Sequence, residues 1–275
     1  MTSLSGLRVL VIGAHPDDCE AKTGGTTALW RRAGAWVKYI SMTDGSRGHH
    51  EHGPGEMAAI RRREAAAAAR ALDIEYDVLE HADGHLEPTL ANRLDLIGRI
   101  RAARPDLVIT HRPDDYHPDH RYTSVLVQDS AFMVTVPNVR PDVPHLRRNP
   151  MFAYMEDSFT RPAPFRADVV VGIDDVMDIK LEALAAHESQ FYEWLPYNQG
   201  VLDKVPPPDD PAARRRWLEA WITPWLLTPG ERFHTGREPG AGTELSNAPA
   251  FVEIFEISEY GYRPPAPELS LFFPI

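Results

Sequence analysis

Residues 7–13 (LRVLVIG) form a short, nearly continuous apolar run, the pattern of a strand buried on both faces. A glycine-containing helical stretch follows at 21–32, and residues 36–42 (WVKYISM) read as a second strand. Residues 57–72 carry a block of alanines and arginines of high helix propensity, and 76–80 read as a third strand. Leu90, Leu94, Ile97 and Ile100 recur at helical spacing before a fourth strand at 107–110 (LVIT). Strands separated by helices of this length predict right-handed βαβ units. The fold class expected is α/β: a Rossmann-like, mostly parallel sheet flanked by helices.

The second half is less regular. Its pattern predicts strands at 151–155 and 169–173, a helix at 176–192, and an alternating strand at 251–257 (FVEIFEI). Residues 195–231 are rich in Pro and Trp and are expected to wrap over the sheet or the pocket. No internal repeat, low-complexity segment or linker divides the chain. One domain spanning 1–275 follows, with its Rossmann-like core at about 1–135 and an elaborated C-terminal portion at about 136–275.

Composition narrows the partners more than the fold. The net charge of −11 opposes binding to a polyphosphate backbone, so nucleic acid is not expected. The triplets Arg61-Arg62-Arg63 and Arg214-Arg215-Arg216 lie in helical segments, where a solvated face is the ordinary explanation. No stretch approaches the ~20 apolar residues of a membrane span. The first residues lack the basic start and cleavage site of a secretory peptide, which makes a cytoplasmic protein the default expectation. The one cysteine, Cys19, excludes an intrachain disulfide and reads as a small buried thiol.

Chemistry concentrates in two places. Gly13-Ala14-His15-Pro16-Asp17-Asp18-Cys19-Glu20 follows the first strand, where the glycine fingerprint of a dinucleotide site is absent. His111-Arg112-Pro113-Asp114-Asp115-Tyr116-His117-Pro118-Asp119-His120 follows the fourth. Ligands of open parallel sheets bind beyond the carboxyl ends of the strands, so both clusters are expected in one crevice. Two imidazoles and a carboxylate suit a catalytic Zn²⁺ that keeps a position open for water. His15 and Asp18, on one tight turn, approach an ion together, and His120 supplies the third ligand. Asp17 then remains free to act as a base. His117 either stabilises the oxyanion or protonates the departing amine.

AHPDD followed by HPDH resembles the LmbE-like or PIG-L zinc de-N-acetylases, and the resemblance extends over most of the chain. Thr43-Asp44-Gly45-Ser46-Arg47-Gly48 is similar to the family's polar loop after its second strand. Arg61 with Glu64 resembles its R-x-x-E-A helix, and Asp83-Gly84-His85-Leu86 its D-G-x-L segment. Lys180 with His187-Glu188-Ser189-Gln190 is similar to a late K…H-x-S-Q signature, and Phe251-Val252-Glu253 to a terminal Y-A-E strand. The resemblance implies one zinc per chain on His15, Asp18 and His120, with Asp17 as base. It further implies that Asp119 orients His117, that Arg61 and Asp83 meet the substrate, and that the chain assembles as a homo-oligomer.

The expected reaction is hydrolysis of an N-acyl group, an N-acetyl above all, from an amino sugar, glycoside or related small molecule. The alternatives are an amidase acting on thiol conjugates or a natural-product intermediate, and a metal- or sugar-binding module without turnover. His₂Asp also suits Fe²⁺ or Co²⁺. His111 is read as a residue supporting the ligands or the structure. His49, His50 and His52 read as an exposed loop near the pocket rather than a second metal site. Trp194, Trp217, Trp221 and Trp225 are open to two readings, a sugar-binding wall or core packing.

Overall fold

In a computed structural model that describes residues 3–233 and 249–275, the apolar runs become strands of an eight-stranded sheet. Strands β1 (Arg8–Gly13), β2 (Trp36–Thr43), β3 (Glu75–His81), β4 (Leu107–Thr110) and β5 (Met151–Met155) are parallel. They lie in the order β3-β2-β1-β4-β5. Helices α1 (Asp18–Arg32), α2 (Pro54–Leu72), α3 (Leu90–Ala103) and α4 (Pro118–Met133) lie between successive strands of this set along the chain. β6 (Val169–Gly172), the two-residue β7 (Thr228–Pro229) and β8 (Phe251–Gly261) extend the sheet with antiparallel pairs: β8 on β5, and both β6 and β7 on β8. The later helices are α5 (Met177–Ala185), α6 (Leu195–Asn198) and α7 (Pro211–Leu226).

Period-two geometry explains why the strands read as unbroken apolar runs. Val9, Val11, Leu107 and Ile109 enter one core cluster with Trp30, Tyr39 and Phe255. Leu10, Ile12 and Val108 point the opposite way, into a cluster with Ile97, Ile100 and Leu126. Helices cover both faces, so both sides of the central strands are mostly apolar. Between α1 and the later elements the packing is close enough to require glycine: a Cβ on Gly25 would lie 2.7 Å from Ile173 Cγ2.

The strand order reverses at β1, which pairs with β2 on one side and β4 on the other. The crevice of a doubly wound sheet opens at such a point. Ile12 is registered against Thr110, so the chain leaves the sheet at Ala14 and at His111 side by side.

Several elements differ from the sequence pattern. α1 begins at Asp18 rather than 21, and α2 at Pro54 rather than 57. The continuous helix expected over 176–192 breaks: α5 ends at Ala185 and a π-helical turn occupies Ser189–Trp194. The N–H of Ser189 donates to Glu64 Oε1 (2.6 Å), which withdraws it from the helical ladder. Within the Pro/Trp-rich segment, α7 is started by Asp210, whose side chain accepts from the N–H of Ala213 (2.9 Å), and by Pro211 in its first turn. β8 runs on to Gly261 rather than 257, and β7 was not foreseen. Loops over 43–55 and 195–237 are expected to shape the choice of substrate, and residues 234–237 of the second lie outside the described residues. Among the described residues no helix is long and apolar enough to cross a membrane.

Candidate active site

The turn after β1 is shaped by its own aspartates. Asp18 Oδ2 accepts the N–H groups of Ala14 (3.0 Å) and His15 (2.7 Å), which folds His15 back over the first turn of α1. Asp17 is left in a conformation rare for a non-glycine residue, with φ 122°. In the segment that follows the neighbouring strand β4, His117 precedes α4, and its Nδ1 accepts the N–H of Asp119 (3.2 Å). Pro118 occupies the first helical turn, and His120 lies within it.

These two helix starts bring His15, Asp18 and His120 together. His15 Nδ1 lies 3.2 Å from His120 Nε2 and 3.6 Å from Asp18 Oδ2, and His120 Nε2 lies 3.5 Å from Asp18 Oδ1. A tetrahedral ion with ligands at about 2.0–2.1 Å spaces its donors roughly 3.3–3.4 Å apart; the two ring nitrogens lie near that spacing, and Asp18 turns one oxygen to each ring, a donor chemistry suited to a dication such as zinc. The far ring nitrogens carry a second argument. His15 Nε2 faces Asp83 Oδ1 (3.1 Å) and Asp119 Oδ2 (3.3 Å), and His120 Nδ1 faces Asp115 Oδ2 (3.1 Å). Carboxylates there hold a ring proton on the far side and turn the near lone pair toward a common point. His111 stacks on His120 at 4.1 Å and places Nε2 3.3 Å from Asp18 Oδ2. Three groups here converge closely enough to share an ion: His15, His117 and His120; Asp18, His111 and His120; and His15, Asp83 and Asp119.

Charge is distributed unequally over the two adjacent aspartates. Burial pushes the Asp17 carboxyl up to about 6, with the Asp18 charge adding to the rise and Arg61 opposing it. Burial acts the same way on Asp18, but His120 and His111 outweigh it and hold that carboxyl below its ordinary range. His117 is shifted down, by burial first and then by the charges of His15 and His120. Asp119 is held low: burial opposes this, and the contacts with His15 and the N–H of Gly84 prevail.

Several expected residues make contacts that their expected roles did not include. The carboxylate of Asp119 does not reach His117. It accepts from the N–H groups of Gly84 (2.6 Å) and Leu86 (3.2 Å) and faces His15; only its backbone N–H touches His117. The reason is that α4 projects side chains of successive residues in different directions. Asp83, expected at the substrate, lies on His15 and on the N–H of Arg47 (3.1 Å). Arg61, also expected there, stands with Asp83 among the residues lining the cavity; it is itself buried and pairs with Asp17 (2.9 Å) and Glu64 (3.3 Å). Asp115 had no assigned role, although it stands inside the second cluster; only its contact with His120 reveals one.

The expectation of an exposed histidine loop is corrected. The His49 side chain is 2% exposed. Its Nδ1 accepts the N–H groups of Glu51 and His52 (both 3.1 Å), and its Nε2 faces Glu193 (2.9 Å). An Nδ1 that accepts carries no proton, so the ring proton sits on Nε2 and no lone pair remains for a metal. His50 stacks on Tyr197 at 3.9 Å. Although His49, His52 and Glu193 are close enough to share an ion, they fasten the loop instead.

The cluster opens into a cavity of about 650 Å³. Tyr116, Phe159, Trp194 and Trp225 stand among its walls. Trp217 and Trp221 stack on each other at 4.9 Å along α7, beside the cluster of Leu181, Leu184 and Leu218. The four tryptophans therefore divide between the two readings.

Residues 10–131 match the model of the PIG-L family, described as GlcNAc-PI de-N-acetylase. A diacetylchitobiose deacetylase of Thermococcus kodakarensis is 32% identical over 207 residues, covering 69% of this chain and 74% of the relative. A 4-oxalmesaconate hydratase of Pseudomonas putida is 25% identical over 203 residues, covering 71% and 78%. Among solved structures, the N,N′-diacetylchitobiose deacetylase of Pyrococcus horikoshii superimposes with a TM-score of 0.67 at 26% identity, over 95% of this chain and 85% of that one.

Proposed function

The chain belongs to the PIG-L family, and from that premise we propose that it is a zinc-dependent amide hydrolase removing an N-acetyl group from an amino sugar or glycoside. The whole of 1–275 acts as one domain in this reading. The observation that carries it is the division of labour between adjacent carboxylates: Asp18 turns to the histidine pair, while Asp17 turns to Arg61.

His15, Asp18 and His120 would hold the metal. Bound there, zinc would supply Lewis acidity and lower the pKa of a water molecule to about 7. Asp17 accepts the proton of the attacking water, and its burial-raised affinity for that proton suits the task. His117 stands edge-on to His15 at 4.6 Å, with Nδ1 occupied by the N–H of Asp119. That leaves Nε2 as its protonated edge, a donor to the carbonyl oxygen or the departing amine. Asp83, Asp115 and Asp119 orient the ligand rings, and the aromatic walls exclude water and receive the sugar. The donor set also accommodates Fe²⁺ or Co²⁺.

A second reading, hydration of a small unsaturated acid, is favoured by one relative. The test compares wild-type protein with His120→Ala and Asp17→Asn. Acetate release from diacetylchitobiose and N-acetylglucosamine is measured beside hydration of 4-oxalmesaconate, with metal content determined for each protein. About one zinc per chain, lost with acetate release in His120→Ala, supports the hydrolase. Turnover of the unsaturated acid alone replaces it with the hydratase. Near-normal acetate release by metal-loaded Asp17→Asn removes Asp17 from the mechanism.

A further inference from the structure

Arg61 sits at the centre of a buried chain of polar contacts leading away from the candidate base. Its Nη2 donates to Asp17 Oδ2 (2.9 Å) and its Nη1 to Glu64 Oε2 (3.3 Å). Glu64 in turn accepts twice from one residue: the N–H of Ser189 reaches Oε1 (2.6 Å) and the Ser189 hydroxyl reaches Oε2 (2.7 Å). Gln190 Nε2 donates to that hydroxyl (3.3 Å) and to Gly48 O (2.9 Å), tying the loop after β2 to the same turn. Above the guanidinium lies Gly45, at φ +62°, where an added Cβ would stand 2.9 Å from Arg61 Nε and 3.0 Å from Pro16 Cδ.

Three features give this chain a direction. Asp17 holds a backbone conformation that non-glycine residues rarely adopt, and such strain persists only where surrounding structure enforces it. Buried charged groups are costly unless paired, and here both terminal nitrogens of the guanidinium meet carboxylates, its Nε alone lacking a partner among the described residues, while Glu64 accepts twice from Ser189. The Ser189 N–H that would have continued α5 is given to Glu64, and the chain enters its π-helical turn there. π-Helical turns of this kind are frequent at functional sites.

We infer that Ser189, Glu64 and Arg61 form a buried strut that holds Asp17 in place, so that Glu64 and Ser189 are positioning residues for the base. In this arrangement Arg61 acts on the reaction through Asp17. The inference rests on the reading of Asp17 as the base.

The test uses Ser189→Ala, Glu64→Gln and Asp17→Asn, singly, with Ser189→Ala also placed in the Asp17→Asn background. Steady-state rates are measured on diacetylchitobiose, together with zinc content and melting temperature. Ser189→Ala, which keeps the backbone bond to Glu64, is expected to fold and to lower kcat about ten-fold, the size of one hydrogen bond to a charged group. KM is expected to stay within about two-fold, because no substrate contact is lost. In the Asp17→Asn background the same substitution should have no further effect, since residues acting by one route are not additive. A raised KM with kcat retained in Ser189→Ala or Glu64→Gln overturns the strut, as does a ten-fold loss that persists in the double variant. Near-normal turnover by Asp17→Asn overturns instead the reading of the base. Wild-type protein that releases no acetate from this probe removes the premise of both.

Discussion

Replacing Asp119 by alanine separates two roles for one carboxylate. Its side chain is fully buried and touches three donors: the N–H groups of Gly84 (2.6 Å) and Leu86 (3.2 Å), and His15 Nε2 (3.3 Å). Truncation leaves two backbone N–H groups without a partner. At about 1–3 kcal/mol for each orphaned group, the expected loss of stability is roughly 2–6 kcal/mol. It also removes one of the two carboxylates behind the ligand ring of His15, and supporting contacts of that kind are worth about 10–100-fold in metal affinity. Asp83 remains on the same nitrogen at 3.1 Å, which places the expected loss toward the lower end of that range. The assay is competition of the folded protein against a zinc chelator, with chemical denaturation of the metal-free protein alongside. Unchanged zinc affinity and unchanged stability, with kcat alone reduced, would refute this reasoning. Asp119 would then serve His117, as the resemblance implied and as the side-chain geometry does not support.

Gly25→Ala sets two magnitudes against each other. Alanine gains about 1 kcal/mol in helix propensity. The new Cβ meets Ile173, buried and β-branched, at 2.7 Å, and overpacking of this kind costs about 1–3 kcal/mol. A lowered melting temperature is expected, and a raised one would show that α1 shifts freely. Trp225→Ala removes an exposed wall of the cavity without touching the core; KM for diacetylchitobiose should rise about two- to ten-fold with kcat and melting temperature little changed. Steady-state kinetics with a thermal melt decide it, and an unchanged KM would move Trp225 out of the site.

What could be read from the chain and what could not divide along a physical line. The parallel core was legible because its strands are buried on both faces, as Val9 to Ile12 and Leu107 to Ile109 show, and because the helices between them repeat at their own period. The convergence of His15, Asp18 and His120 was legible too: each follows the carboxyl end of a strand, and the topology joins those strands at the switch point. Those are local patterns combined with one general rule. The break after α5 was hidden, since the Ser189 N–H that would have continued the helix goes to a carboxylate on α2, over a hundred residues earlier in the chain. The same holds for the partners of Asp119, Asp83, Arg61 and His49. A side chain's residue type states what it can donate or accept. Which of several equally suitable partners it meets is decided only when distant segments pack, because that choice depends on direction and distance and not on order along the chain. The sequence by itself therefore determined the sheet and the chemistry gathered at its edge. The tertiary structure alone decided which carboxylate faces which ring, and which arginine pairs with Asp17.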